Sequence, residues 1–190
     1  MIVTQPAGPD SADWRRRWTI DAGPVALEPA TRDLAQAVLD GGPAPREFAD
    51  GARHDRLPQA MGYALRSFET GAAATLPTVW VVVRRADGTI IGDIGTHGPP
   101  DGAGSVEIGY SLAPSARGQG VGTAAVTGLV GRLSAVPGIR QIVANTGADN
   151  TPSRRLLERL GFRLAADGEP AAGEVRYALD VSSAGAVPPG

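Results

Sequence analysis

Apolar and polar positions along the chain follow two different periods. Two apolar runs, Val79-Trp80-Val81-Val82-Val83 and Thr89-Ile90-Ile91-Gly92-Asp93-Ile94, flank Ala86-Asp87-Gly88, and the Asp-Gly pair predicts a tight hairpin between two strands. A third strand is expected over 106–112, after Asp101-Gly102. Its alternation puts Glu107, Gly109 and Ser111 on one face and Val106, Ile108, Tyr110 and Leu112 on the other. Helical spacing takes over elsewhere. Met61, Leu65 and Phe68 predict a helix over 58–70, and Thr31 and Gly41-Gly42 bracket another around 32–39. Further helices are expected over 123–133 and over 151–159, the second stopped by Gly161. Residues 18–27 read as two short strands turning at Asp21-Ala22-Gly23-Pro24, and 141–146, 162–165 and 175–179 complete the strands.

A chain of 190 residues fits one α/β unit with a sizeable core. We expect a mobile lead-in over 1–17, the domain over 18–180 and a flexible Gly/Ala/Pro-rich tail over 181–190. The absence of cysteine removes disulfides and thiol chemistry, and two histidines leave little material for a metal site. A net charge of −2 argues against general nucleic-acid binding. Arg15-Arg16-Arg17 between Trp14 and Trp18 reads as a solvated, dimer-covering or core-capping segment rather than a base-stacking platform. No secretory apolar region or bilayer-length run is visible, so no membrane contact and a cytoplasmic location are expected. All 18 basic residues are arginine, which with 26 glycines and 16 prolines fits a GC-rich bacterial genome.

The chemistry concentrates in Arg117-Gly118-Gln119-Gly120-Val121-Gly122, between a predicted strand and a predicted helix. Glycines permit close backbone approach, and the first amides of a helix lack internal partners, so this loop suits a phosphorylated cofactor. A P-loop requires Gly-Lys-Ser/Thr, and the chain has no lysine. A dinucleotide fingerprint can be laid on Gly120-Val121-Gly122-Thr123-Ala124-Ala125, but Ala113 to Ala116 separate it from the strand and Asn145 stands near where the ribose-binding acid should.

Arg117, Gly120 and Gly122 occupy the fixed positions of a Gln/Arg-x-x-Gly-x-Gly/Ala pattern, with Val106-Glu107-Ile108-Gly109-Tyr110 before it. Asn150-Thr151-Pro152-Ser153 and Leu160-Gly161-Phe162 follow it. Together these segments resemble the GNAT superfamily of acyl-CoA-dependent N-acyltransferases over roughly residues 25–179, and are most similar to its ribosomal-protein N-terminal acetyltransferase (RimJ/RimL-like) branch. The resemblance implies an α/β (α+β) GNAT fold: a mixed sheet of about seven strands, about four helices, and a splayed strand pair that holds the cofactor.

It also implies a set of roles. Acetyl-CoA (coenzyme A) would be the cofactor, its pyrophosphate held by amides of Gly118, Gln119, Gly120, Val121, Gly122 and Thr123, with Arg117 adding charge or bracing the loop. The backbone N–H of Ser111 or Leu112 would stabilise charge on the thioester oxygen, worth about 3 kcal/mol of barrier. Glu107 would deprotonate the amine directly or through water, with a pKa raised by flanking Val106 and Ile108; the competing role is an ion pair with an arginine. Many members place a tyrosine where this chain has Leu157, which leaves Ser153 or a water to protonate the departing thiolate. Asn150 and Ser153 would contact CoA as well as start a helix. Apart from the resemblance, His97 lies just beyond the strand ending at Thr96 and reads as a structural or exposed histidine in preference to one that touches substrate at the border of the acceptor pocket; loop 41–57 helps shape that cleft, and His54 sits in a polar loop. The implied partner is an amine acceptor, a small molecule or a protein N-terminus; the oligomeric state is left open, a homodimer being frequent among related proteins. An acidic acceptor cleft would favour cationic small molecules over peptide ends. The competing function is a non-catalytic acyl-CoA-binding or regulatory module.

Overall fold

The computed structural model describes residues 8–166, 168 and 170–181. Five helices and eight strands follow one another: α1 (Ala12–Trp18), β1 (Ile20–Ala22), β2 (Val25–Pro29), α2 (Arg32–Leu39), α3 (Leu57–Glu69), β3 (Val79–Arg84), β4 (Ile90–Thr96), β5 (Ser105–Leu112), α4 (Val121–Ser134), β6 (Gln141–Gly147), α5 (Thr151–Arg159), β7 (Arg163–Leu164) and β8 (Glu174–Asp180). The strands form one sheet in the order β1-β2-β3-β4-β5-β6-β8-β7. Every neighbouring pair is antiparallel except β5 and β6, which are parallel.

Helices cover both faces, and the alternation of β3 shows how. Trp80 and Val82 point into a core shared with α1, α4 and α5, whereas Val79, Val81 and Val83 meet Leu34, Val38, Leu57 and Met61 of α2 and α3. Five valine or tryptophan positions in a row are therefore the signature of a strand buried on both sides. The Thr31 hydroxyl starts α2 by accepting the Leu34 amide at 3.2 Å. Thr31→Ala should cost about 1 kcal/mol, read as a lower urea midpoint with an unchanged denaturant slope.

The N-terminal lead-in differs from expectation. Residues 12–18 form a helix, started by Ser11 accepting the Trp14 amide, and Trp14 and Trp18 are buried. Their i,i+4 spacing puts both indoles on one side, and three consecutive arginines hide that periodicity in the sequence. The Trp14 indole N–H donates to the Ala73 carbonyl and that of Trp80 to the Trp18 carbonyl, each at 2.8 Å. Arg17 and Arg132 lie over the Trp18 ring, each 5.4 Å from its centroid. The segment caps the core, and this helix makes five where four were expected. Residues 1–7 and the tail beyond Val181 lie outside the described residues. No helix among the described residues is long and apolar enough to cross a membrane.

Candidate active site

The site begins where the sheet comes apart. β5 and β6 pair only at Ser105↔Gln141, Val106↔Ile142 and Glu107↔Val143; beyond that β5 stays on β4 and β6 on β8. The direction of the backbone groups along this gap follows from the β4–β5 ladder. His97 N–H donates to the Glu107 carbonyl at 2.9 Å and Ala113 N–H to the Ile91 carbonyl at 2.8 Å, so odd residues of β5 point their N–H and C=O toward β4. The amides of Tyr110 and Leu112 therefore face the gap. Of the two expected charge-stabilising donors, Ser111 is corrected, because its N–H points to the β4 side, whereas that of Leu112 points to the gap.

At the end of β5, a 3-10 turn (Pro114–Ala116) leads into the glycine loop. Gly118 and Gly120 both have φ of 75°, a left-handed conformation that only glycine adopts freely, and Gly120 is the N-cap of α4. No amide from Gly118 to Thr123 donates a hydrogen bond among the described residues. Six unpaired donors at a helix start make an anion cradle. Arg117 donates from Nε to the Leu112 carbonyl at 3.0 Å, and Gln119 from its side-chain amide to the Ser115 carbonyl at 2.8 Å. Both side chains brace the loop through these bonds. Val121 is buried, and a β-carbon on Gly122 would press on Leu156 and Leu112 at 3.2 and 3.3 Å.

The gap opens into a cavity of about 580 Å³. On the face carrying α3, register brings together Asp93 opposite Ser111, Gly95 opposite Gly109, and His97 beside Glu107. His97 Nδ1–H donates to Glu107 Oε1 at 2.9 Å, and Tyr63 of α3 stacks on the imidazole with centroids 6.3 Å apart. The Glu107 hydrogen bond, opposed by burial, raises the His97 pKa above its ordinary value. The same bond holds the Glu107 carboxyl below the usual carboxylate range. That corrects two expectations: burial between Val106 and Ile108 loses to the imidazole contact, and the partner is a histidine rather than an arginine.

A second pair sits farther along the same face. His54 donates from Nε2 to Asp93 Oδ1 at 2.7 Å, so the loop before α3 does line the cavity. On the face carrying α5, the Tyr110 hydroxyl lies 2.7 Å from Ser153 Oγ, and burial raises the phenol's pKa. Asn150 accepts the Ser153 amide at 3.3 Å, which is the helix-start role, while its residue also borders the cavity. Leu157 is fully buried and contributes nothing to the site. Sequence reading missed Asp93, a single charge inside an apolar strand, and Tyr110, which alternation assigned to the opposite face without revealing that the gap joins both faces.

The residues fit a phosphorylated thioester cofactor. The cradle waits for an anion, and Asn145 beside the gap keeps a buried Oδ1 with no donor among the described residues. A mixed sheet split between two parallel strands, with an amide cradle at one end and paired acid–base groups at the other, defines an acyl-group transferase. The acetyltransferase (GNAT) domain model matches residues 16–163, and the chain belongs to that family. Membership points to acetyl transfer with acetyl-CoA as the donor.

An uncharacterized N-acetyltransferase of Bacillus subtilis (strain 168), YjdG, is 33% identical over 85 residues, covering 45% of this chain and 51% of the relative. The match thus spans about half the length of that curated protein. RimJ of Mycobacterium smegmatis, solved in complex with CoA-disulfide, superposes with a TM-score of 0.59 at 23% identity, covering 86% of this chain and 85% of its own. The ribosomal-protein-S5-alanine acetyltransferase of Vibrio fischeri gives 0.63 at 15% identity, covering 90% and 99%. At such identities the two structures support the fold alone.

Proposed function

We propose that the protein transfers an acetyl group from acetyl-CoA to a primary amine by direct attack within a ternary complex. The observation that carries this reading is the continuity of the site: the unpaired amides of Gly118 to Thr123 lead along the β5–β6 gap to the His97–Glu107 pair. Bound acetyl-CoA supplies an activated acetyl thioester. The cradle fixes the anionic end, and the Tyr110 amide, which faces the gap next to Gly109, the residue over which His97 Nε2 lies, is the donor for charge developing on an acyl oxygen at that pair. Because Glu107 accepts from His97 Nδ1–H, the lone pair of Nε2 is free to take a proton from the attacking amine, and Glu107 stabilises the resulting imidazolium. The Ser153 hydroxyl, bonded to Tyr110, can donate to the departing sulfur in place of the tyrosine that Leu157 replaces. With no cysteine, an acyl-cysteine intermediate is unavailable.

The acceptor is the α-amine of a protein or an amine of a small molecule. Calorimetric titration with acetyl-CoA, with NADH and ATP as controls, tests the cradle. Saturable binding of acetyl-CoA alone is expected, and preferential binding of NADH would overturn the assignment. Gly120→Val should weaken that binding about tenfold or more, since a β-branched residue resists positive φ and the amides must turn away. Buried Leu157 favours one competing reading, a CoA-binding module without turnover. Amine-dependent release of CoA excludes that reading; binding without release would establish it.

A further inference from the structure

Resting on the acetyltransferase reading, we infer that the acceptor is a small aliphatic amine bearing a second ammonium group, and that Asp93, held by His54, is the site for that second charge.

Asp93 is only 8% exposed, yet it borders the cavity. His54 occupies Oδ1 from Nε2, and its own Nδ1 accepts the Arg56 amide at 3.2 Å. An imidazole nitrogen that accepts an N–H carries no proton itself, so the proton of this ring is the one on Nε2 given to Asp93. The pair consequently keeps the carboxylate's negative charge. Oδ2 takes no hydrogen bond among the described residues. A carboxylate this enclosed is costly unless a cation meets it.

The rest of the cavity agrees. Among the described residues its lining holds four carboxylates, Asp93, Glu107, Asp149 and Glu174, against the two histidines that partner Asp93 and Glu107 and one guanidinium, that of Arg56, which forms no ion pair with any of the four. Asp93 of β4 and His97, the residue just past its end, lie on one face at positions four apart, which separates them by about 13 Å along the chain. Gly95 between them contributes no side chain, and Ala60 and Tyr63 of α3 border the same space. The geometry suits a hydrocarbon chain with a cation at each end: one amine at His97–Glu107 is acetylated and the other rests against Asp93 Oδ2. A single peptide α-amine would leave Asp93 unmatched.

The test uses the full chain at saturating acetyl-CoA, with α,ω-diaminoalkanes of graded length set against 1-aminoalkanes of the same lengths. The best diamine should exceed its monoamine in kcat/KM by about tenfold or more. Asp93→Asn keeps the acceptor for His54 but removes the charge; it should raise KM for the diamine and bring the ratio toward one. Equal use of both acceptors by the unaltered protein would overturn the inference and leave the acetyltransferase reading standing. A ratio unchanged by Asp93→Asn would do the same, as would preference for a peptide amine over every diamine. Transfer to no amine at all would overturn both.

Discussion

His97→Asn should lower kcat by about a hundredfold or more while leaving acetyl-CoA affinity within about twofold, because it removes a proton acceptor and touches none of the cradle. Single-turnover kinetics beside calorimetry separate the two quantities. The pH profile identifies which member of the pair takes the proton. Glu107 raises the pKa of His97, and the imidazolium form cannot act as base. Rate is therefore lost as pH falls through a value above histidine's ordinary 6.5. Glu107→Gln removes the charge that holds the imidazolium, so the acid limb should move to lower pH while the plateau drops about tenfold. If Glu107 itself took the proton, its carboxyl, held below the ordinary 4.5, would put the limb at acid pH, and replacing it would abolish the limb. An acid limb below 4.5 that survives His97→Asn would remove His97 as the base.

The cradle was legible because it is local. Glycines at fixed spacing before a helix determine φ and amide direction within six residues, with no need of the rest of the fold. The face of β5 was equally legible, since alternation alone separates Glu107 from Val106. What could not be read depends on long-range register. His97 meets Glu107 only because the β4–β5 hairpin places residue 97 beside 107, and His54 reaches Asp93 across 39 positions of sequence. The same dependence explains the pKa error: the apolar neighbours of Glu107 lie next to it in sequence, but the imidazole that lowers its pKa arrives from another strand. The choice between Ser111 and Leu112 also turned on ladder phase, which no one-strand pattern contains. α1 failed differently. Its apolar content is two tryptophans four apart, too sparse to outweigh three arginines until their contacts with Ala73 and Trp80 are seen.

Gly109→Ala should depress turnover nearly as far as His97→Asn, although alanine has no polar atom and the position carries no charge. A β-carbon at Gly109 would stand 2.6 Å from His97 Nε2, so the imidazole occupies space that only glycine leaves open. The His97 side chain is 52% exposed, and the ring can swing into solvent instead of straining the strand. The expected result is thus a folded protein with intact acetyl-CoA binding and a broken His97–Glu107 bond. Two readouts check this cause. The His97 imidazole, followed by NMR, should titrate at lower pH than in the unaltered protein, because the freed ring loses the carboxylate that raised its pKa. In addition, Gly109→Ala combined with His97→Asn should be no slower than His97→Asn alone, since both changes remove the same proton acceptor. Fully additive losses would mean that Gly109 serves the acceptor's path rather than the ring, and that the position of His97 over the strand is incidental to catalysis.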